Sequence, residues 1–248
     1  AIDNCGVENP EHIQKIVPTG FSDITFFFGN TPTIKKDREL TCSMVFNGQH
    51  TKPYDIIITD EYKMFSISLL PHGASVLFDL PINETNNNNI PLNLLWDKSL
   101  KKLEESLFKA NSFTEQVNIT EEFLLRQLAN TYDGYKFKRI DYCVNLINQS
   151  KAGISISDLA DKSFLSRKQF ERSFTSNIGI TPKQFMKVIR FQHAIFQKQQ
   201  QPNCSLTEIA HACGYTDQAH MVHEFKNLTG LTPREFFKHG EVFSDYFS

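Results

Sequence analysis

The sequence predicts an α+β chain in two parts, a β-rich front half with some helix and an all-helical rear half. Three features predict it. The first hundred residues hold short β-branched or aromatic runs separated by Gly, Asn, Pro and Asp clusters, as strands are. After Pro91 the apolar spacing changes to the helical period. In the rear half, one pattern of about fifty residues occurs twice.

The bulk properties are ordinary. At about 100–200 residues per domain, 248 residues make one large domain or two modest ones. A composition of 40% hydrophobic and 22% charged residues supports a core and excludes wholesale disorder. No apolar run approaches the roughly 18 residues of a membrane span, and the first ten residues lack a signal-peptide pattern. The chain opens on Ala1, not Met, so upstream residues are expected to be missing. Five cysteines without a C-x-x-C pair fit reduced thiols in a cytoplasm. The net charge of −2 is unevenly spread: residues 1–150 carry 14 Lys and Arg against 19 Asp and Glu, and residues 151–248 carry 12 against 9. A basic rear half permits nucleic-acid binding without requiring it.

In chain order, Ser22–Phe28, Thr41–Phe46, Tyr54–Thr59 and Phe65–Leu70 read as strands, and Pro71-His72-Gly73 ends the last. Ala74–Leu80 is expected to be a short helix. Asn83–Asn93 is polar and low in complexity, which predicts an exposed loop. Lys98–Ala110 aligns Leu100, Leu103 and Leu107 on one helical face. Thr120 suits the N-cap of a helix over Glu121–Ala129, with Glu121 and Glu122 at its positive end. Thr131–Gly134 is a break, and helices joined by short turns follow. The expected division is a β-rich domain over 1–112, a helical linker over 113–134 and an all-α domain over 135–248.

The repeat carries the functional argument. Its first copy holds Leu159-Ala160, Ser166, Phe170, Phe174, Gly179, Pro182 and Phe185; its second holds Ile209-Ala210, Thr216, Met221, Phe225, Gly230, Pro233 and Phe236. The offset is 50 before the turn and 51 after it, so the second copy has one extra residue, near Cys213-Gly214-Tyr215. In each copy a short helix, capped at Ser155 or Ser205, leads through a tight turn to a second helix. Ser166 and Thr216 are the expected caps of the second helices, and the Phe and Met positions face a core. Arg167, Lys168, Glu171 and Arg172 point outward from the first; Gln218, His220 and His223 lie at or near the free face of the second. This is a helix-turn-helix arrangement, whose second helix fits a major groove about 12 Å wide. Arg and Gln suit base edges, Arg toward guanine and Gln toward adenine. Between the copies, Thr181–Gln199 forms a capped helix with Pro182 at its first position. About 18 helical residues span roughly 27 Å, of the order of the one-turn separation, about 34 Å, between successive major grooves.

Residues 140–238 resemble the DNA-binding domain of the AraC/XylS family of bacterial transcription regulators. The resemblance rests on Leu159-Ala160, Ser166, Phe170, Arg172, Phe174, Gly179, Pro182, Arg190, Ala194, Ile209-Ala210, Gly214-Tyr215, Phe225-Lys226 and Gly230 to Pro233. Phe164 stands where a Gly often appears, and His223 where a basic Arg or Lys is common. The resemblance implies base or phosphate contacts from Arg167, Lys168, Glu171 and Arg172 in the first unit and from Gln218, His220 and His223 in the second. It gives Lys226 and Arg190 phosphate or structural roles. Residues Val17-Pro18, Gly20, Asp23-Ile24, Asn47-Gly48-Gln49, Leu70-Pro71, Gly73-Ala74 and Ile90-Pro91-Leu92 resemble, more diffusely, the β-rich sensor domain that precedes such units. That context implies a small-molecule effector, subunit pairing into a homodimer, or both, and RNA polymerase as a partner of an activator.

Other chemistries fit less well. There is no G-x-S-x-G, no P-loop and no G-x-G-x-x-G. His12, His50 and His72 are too widely spaced for a metal-dependent β-barrel enzyme. Cys204, Cys213, His220 and His223 match no compact zinc spacing, and Cys213 sits where the repeat buries a small side chain. A helical scaffold would present neutral or acidic faces, against Arg167, Lys168 and Arg172. The expectation is a cytoplasmic regulator that binds double-stranded DNA, with no catalytic residues, metal or cofactor.

Overall fold

The computed structural model describes residues 2–3, 11–29, 31–34, 38–39, 43–59, 62–78, 81–96, 99–131 and 134–238. Among these, the chain forms nine strands and ten α-helices. The strands are β1 (Ile2–Asp3), β2 (Glu11–Ile16), β3 (Ser22–Gly29), β4 (Thr33–Ile34), β5 (Arg38–Glu39), β6 (Met44–Asn47), β7 (Tyr54–Thr59), β8 (Tyr62–Leu69) and β9 (Asn89–Pro91). The helices are α1 (Gly73–Leu77), α2 (Ser99–Lys109), α3 (Phe113–Thr131), α4 (Gly134–Gln149), α5 (Ile156–Lys162), α6 (Arg167–Ile178), α7 (Pro182–Gln200), α8 (Leu206–Ala212), α9 (Gln218–Thr229) and α10 (Pro233–Lys238). No described helix is long and apolar enough to cross a membrane.

Two antiparallel sheets form the front half, in the orders β1-β8-β3-β6-β9 and β2-β7-β4-β5. Strand alternation divides β3 between two environments. Ile24 and Phe26 join Phe46, Phe65 and Leu69 under the helices, where Leu77, Leu100, Leu103 and Leu107 complete the core. On its other face Phe27 meets Val45 and Ile58, the latter from the second sheet. Thr25 shares that face and is hydrogen bonded to Ser66 at 3.0 Å and to Asn47 at 3.0 Å.

The sequence-predicted strands stand with shifted ends, and several local expectations are corrected. Asn83–Asn93 is not a plain loop. A 3-10 turn over Ile82–Thr85 and strand β9 occupy it, because Ile82 and Leu92 are fully buried anchors on either side of the Asn run. Thr120 is no cap but a buried mid-helix residue, its hydroxyl donating to the Gln116 carbonyl at 2.8 Å. Helix α3 instead starts at Phe113, behind Ser112, whose hydroxyl accepts from the Glu115 N–H. Strand β2 was not anticipated. Thr41, Cys42, Asp79, Leu80, Lys98, Tyr132, Asp133 and 239–248 lie outside the described residues.

The rear half repeats itself in detail. The Leu165 N–H closes on the Ala160 carbonyl at 3.1 Å, and fifty residues on the Tyr215 N–H closes on Ala210 at 2.9 Å. Both turns pass through left-handed backbone, at Phe164 (φ 57°) and Gly214 (φ 76°). A side chain there costs about 1–2 kcal/mol, so Gly214 makes the second turn the easier one. The turns match residue for residue, so the extra residue of the second copy is Thr216, just after the turn. The cap of α9 is accordingly Asp217, not Thr216; its carboxylate accepts from the His220 N–H at 2.7 Å. Ser166 caps α6 as expected, in a capping box with Gln169.

Helix α7 joins everything. Its 19 residues extend about 28 Å at 1.5 Å each. Phe185 and Ile189 belong to the first unit's core, Val188, Phe191 and Ala194 to the second's. The front half also grips it, through the loop between β2 and β3. Val17 is packed into the second unit's core. The Pro18 carbonyl accepts from Gln192 Nε2 at 2.7 Å. Gly20, at φ 85°, lies so close that a Cβ would stand 3.2 Å from Ile189. Gln49 Nε2 donates to the Gly20 carbonyl at 2.8 Å and holds the loop from behind.

Helices α6 and α9 both end on left-handed glycines, Gly179 (φ 98°) and Gly230 (φ 78°). A Cβ at Gly179 would meet the Ile82 side chain at 3.2 Å and its carbonyl at 3.3 Å, whereas at Gly230 nothing lies within 4 Å. Gly230→Ala should cost about 1–2 kcal/mol, the backbone term alone. Gly179→Ala should cost more in urea denaturation, and equal losses would show that the front half yields freely at that contact.

Candidate nucleic-acid interface

The sequence-predicted residues divide into free and committed groups. On α6, Lys168 and Arg172 are exposed and make no ion pair or hydrogen bond among the described residues. Arg167 Nε donates to Glu171 Oε1 at 3.1 Å across one helical turn. Exposed pairs of this type contribute only about 0.3–0.5 kcal/mol, so Arg167 can leave Glu171 for a stronger anion at little cost. On α9, the Gln218 carbonyl oxygen accepts from the Thr207 hydroxyl at 2.9 Å, and its side chain is exposed. His223 is exposed, with Nδ1 3.2 Å from the Asn227 amide, and Lys226 is exposed.

His220 and Arg190 are committed. The Thr216 N–H donates to His220 Nδ1 at 3.2 Å, so the extra residue of the second copy finds its backbone partner in that ring. This leaves the ring proton on Nε2, 3.2 Å from Glu224 Oε1. Arg190 Nη1 reaches Glu224 Oε2 at 3.4 Å, and its guanidinium stands 5.4 Å from the Tyr215 ring centre. Glu224 itself is 2% exposed. Sequence reasoning passed over this carboxylate. Its position beside Met221, Phe225 and Leu228 on the buried side of α9 was the available signal, since a buried charge requires partners.

Arg167, Arg190, His220 and His223 come together in one groove between the two units, of about 570 Å³. Ile154, Ile156 and Met186 supply its apolar lining, and Lys183 and Lys187 of α7 also line it. Lys168, Glu171, Arg172, Gln218 and Lys226 do not line it. At about 3.6 residues per turn, Lys183, Lys187 and Arg190 fall on one side of α7, and Val188 and Gln192 on the opposite side. The front half therefore packs behind the groove and leaves the outward faces of α6 and α9 open.

Two family models match the chain. One described as a helix-turn-helix domain covers residues 159–239. One described as a domain of unknown function (DUF6597) covers residues 4–91. The chain is 27% identical over 128 residues to the probable transcriptional regulator LumQ of Photobacterium leiognathi, 50% of each protein. It is 26% identical over 168 residues to the HTH-type transcriptional activator RhaS of Mannheimia succiniciproducens, 63% of this chain and 62% of that one. It thus spans about half the length of the first of these relatives and less than two thirds of the second. ToxT from Vibrio cholerae has the same fold, with a TM-score of 0.50 at 12% identity over 92% of this chain and 97% of that one. Paired helix-turn-helix units on one connecting helix define a class of DNA-binding architecture. Residues 159–239 carry a helix-turn-helix domain, and the chain is similar over part of its length to transcriptional regulators such as LumQ and RhaS.

Glu224→Ala should destabilise the chain by about 3 kcal/mol in urea denaturation, because it strands the Arg190 charge. Arg190→Met combined with Glu224→Leu should recover most of that loss. A double variant no more stable than Glu224→Ala would contradict the pairing.

Proposed function

We propose that the chain regulates transcription by reading duplex DNA with α6 and α9 in successive major grooves. The observation that carries this reading is the cationic groove between two open helix faces on one rigid connector. Lys168 and Arg172 on α6, and Gln218 with His223 on α9, would reach base edges, and Lys226 would meet phosphate. Arg190 and His220 act indirectly, by fixing α9 through Glu224.

The front half is the part that takes the signal. Between its sheets a polar row joins Thr25, Ser66 and Asn47, then Asn89 and Tyr54, whose hydroxyl lies 3.3 Å from the Asn89 amide. Phe27, Val45 and Ile58 pack together on the same side. A small effector with both polar and apolar parts would match that mixed chemistry. ToxT, which shares the fold, was solved bound to a naphthalenyl butenoic acid, which agrees with control by a small molecule. Subunit pairing would use the exposed Val117 and Leu125 on α3, and an activator would also meet RNA polymerase.

Selection of binding sites from random DNA, followed by a salt titration, tests the reading. Binding should weaken steeply with salt as counterions are released. Arg172→Ala should lose about 1–3 kcal/mol on the selected site and little on unrelated duplex. Equal affinity of variant and wild type for the selected site would remove Arg172 from the interface.

A further inference from the structure

Helix α7 is so far a spacer with a front-half contact on one side. Its other side has its own chemistry. Lys183 and Lys187 stand one turn apart, where like charges disfavour each other, and Arg190 follows on the same side. Neither lysine makes an ion pair or hydrogen bond among the described residues, and both line the groove. Arg167 enters from α6 and His223 from α9. Glu224 is the one acidic side chain in the lining, and it is buried and already shared between Arg190 and His220. Ile154, Ile156 and Met186 give the groove apolar walls beside these cations, an arrangement that favours an anionic partner.

The position of the groove identifies the anion. If α6 and α9 occupy successive major grooves on one side of a duplex, a minor groove with its flanking phosphates lies between them. That stretch of backbone passes over the side of α7 facing away from the front half. The geometry points to α7 as a third DNA-binding element, with Lys183 and Lys187 contacting the phosphodiester backbone between the two readers. This inference rests on the DNA-binding reading and adds residues that the helix-turn-helix units do not supply. Phosphate contacts carry no sequence information, so the lysines set affinity and register, not base choice.

The test uses the full chain and a fluorescently labelled duplex carrying the selected site, with an unrelated duplex alongside. Affinity is measured over a range of KCl concentrations for wild type, Lys183→Ala, Lys187→Ala and the double variant. Lys101→Ala, on the exposed face of α2, is the control. Each groove substitution should lower the slope of log K against log salt by about 0.9, the double variant by about twice that. Both duplexes should be weakened by similar factors, and Lys101→Ala should leave the slope unchanged. Thermal melting checks that these surface variants remain folded. An unchanged slope in the double variant, against a steep wild type, would overturn the inference while leaving the two readers intact; so would a loss confined to the selected site. A wild type that binds neither duplex would instead sink the reading on which the inference rests.

Discussion

The hydrogen bond from the Gln192 amide to the Pro18 carbonyl, between two buried residues at 2.7 Å, fastens the front half to the helix that spaces the readers. A buried amide left without a partner costs about 1–3 kcal/mol, so the loop and the helix stay together or both lose. Val17 and Gly20 seal the contact on either side of Pro18. The front half is thus no pendant module. It completes the second unit's core and sets where α7 lies, and α7 in turn sets where α6 and α9 lie.

The two readers are built alike but held differently. In the first, core aromatics Phe170, Phe174 and Phe185 meet at ring separations of 5.6 Å, and the outward cations have no structural duty beyond a weak surface pair. In the second, one inserted residue, Thr216, brings a backbone N–H that needs an acceptor. His220 supplies it, and Glu224 then holds both His220 and Arg190. An outward-looking polar residue thereby becomes part of the scaffold. In the proposed reading, the first unit would offer charge to DNA, and the second an amide and an exposed imidazole on a stiffer mount.

Much of this was legible in the sequence. The repeat, its capping residues Ser155, Ser166 and Ser205, and its buried Phe positions follow from spacing alone, because helical periodicity and caps are local signals. Where expectation and structure part, tertiary contacts decided. Phe113–Ile119 has β-branched and aromatic residues of low helix propensity, so α3 looked shorter than it is; packing of Gln116, Ile119 and Thr120 against the sheet and helices supports its first turns. Glu11–Ile16 has only two apolar residues, three apart, and becomes a strand by pairing with β7. Asn83–Asn93 looked unstructured because its polar residues outnumber its anchors. At the interface, exposure of Lys168 and Arg172 could be read from periodicity, but the diversion of His220 and Arg190 toward Glu224 needed three elements in contact. The Val17-Pro18-Thr19-Gly20 stretch was visible as a motif, and its role as a strap was not, since its partner lies some 170 residues away.

The stops of the two reading helices behave unequally. Gly179 is wedged under Ile82, and Gly230 faces open space. Any displacement of the sheets presses directly on the end of α6, like a push on a clamped jaw, whereas the end of α9 has nothing against it to push. A signal taken up between the sheets would therefore alter the gap between the two jaws before it altered either one's shape.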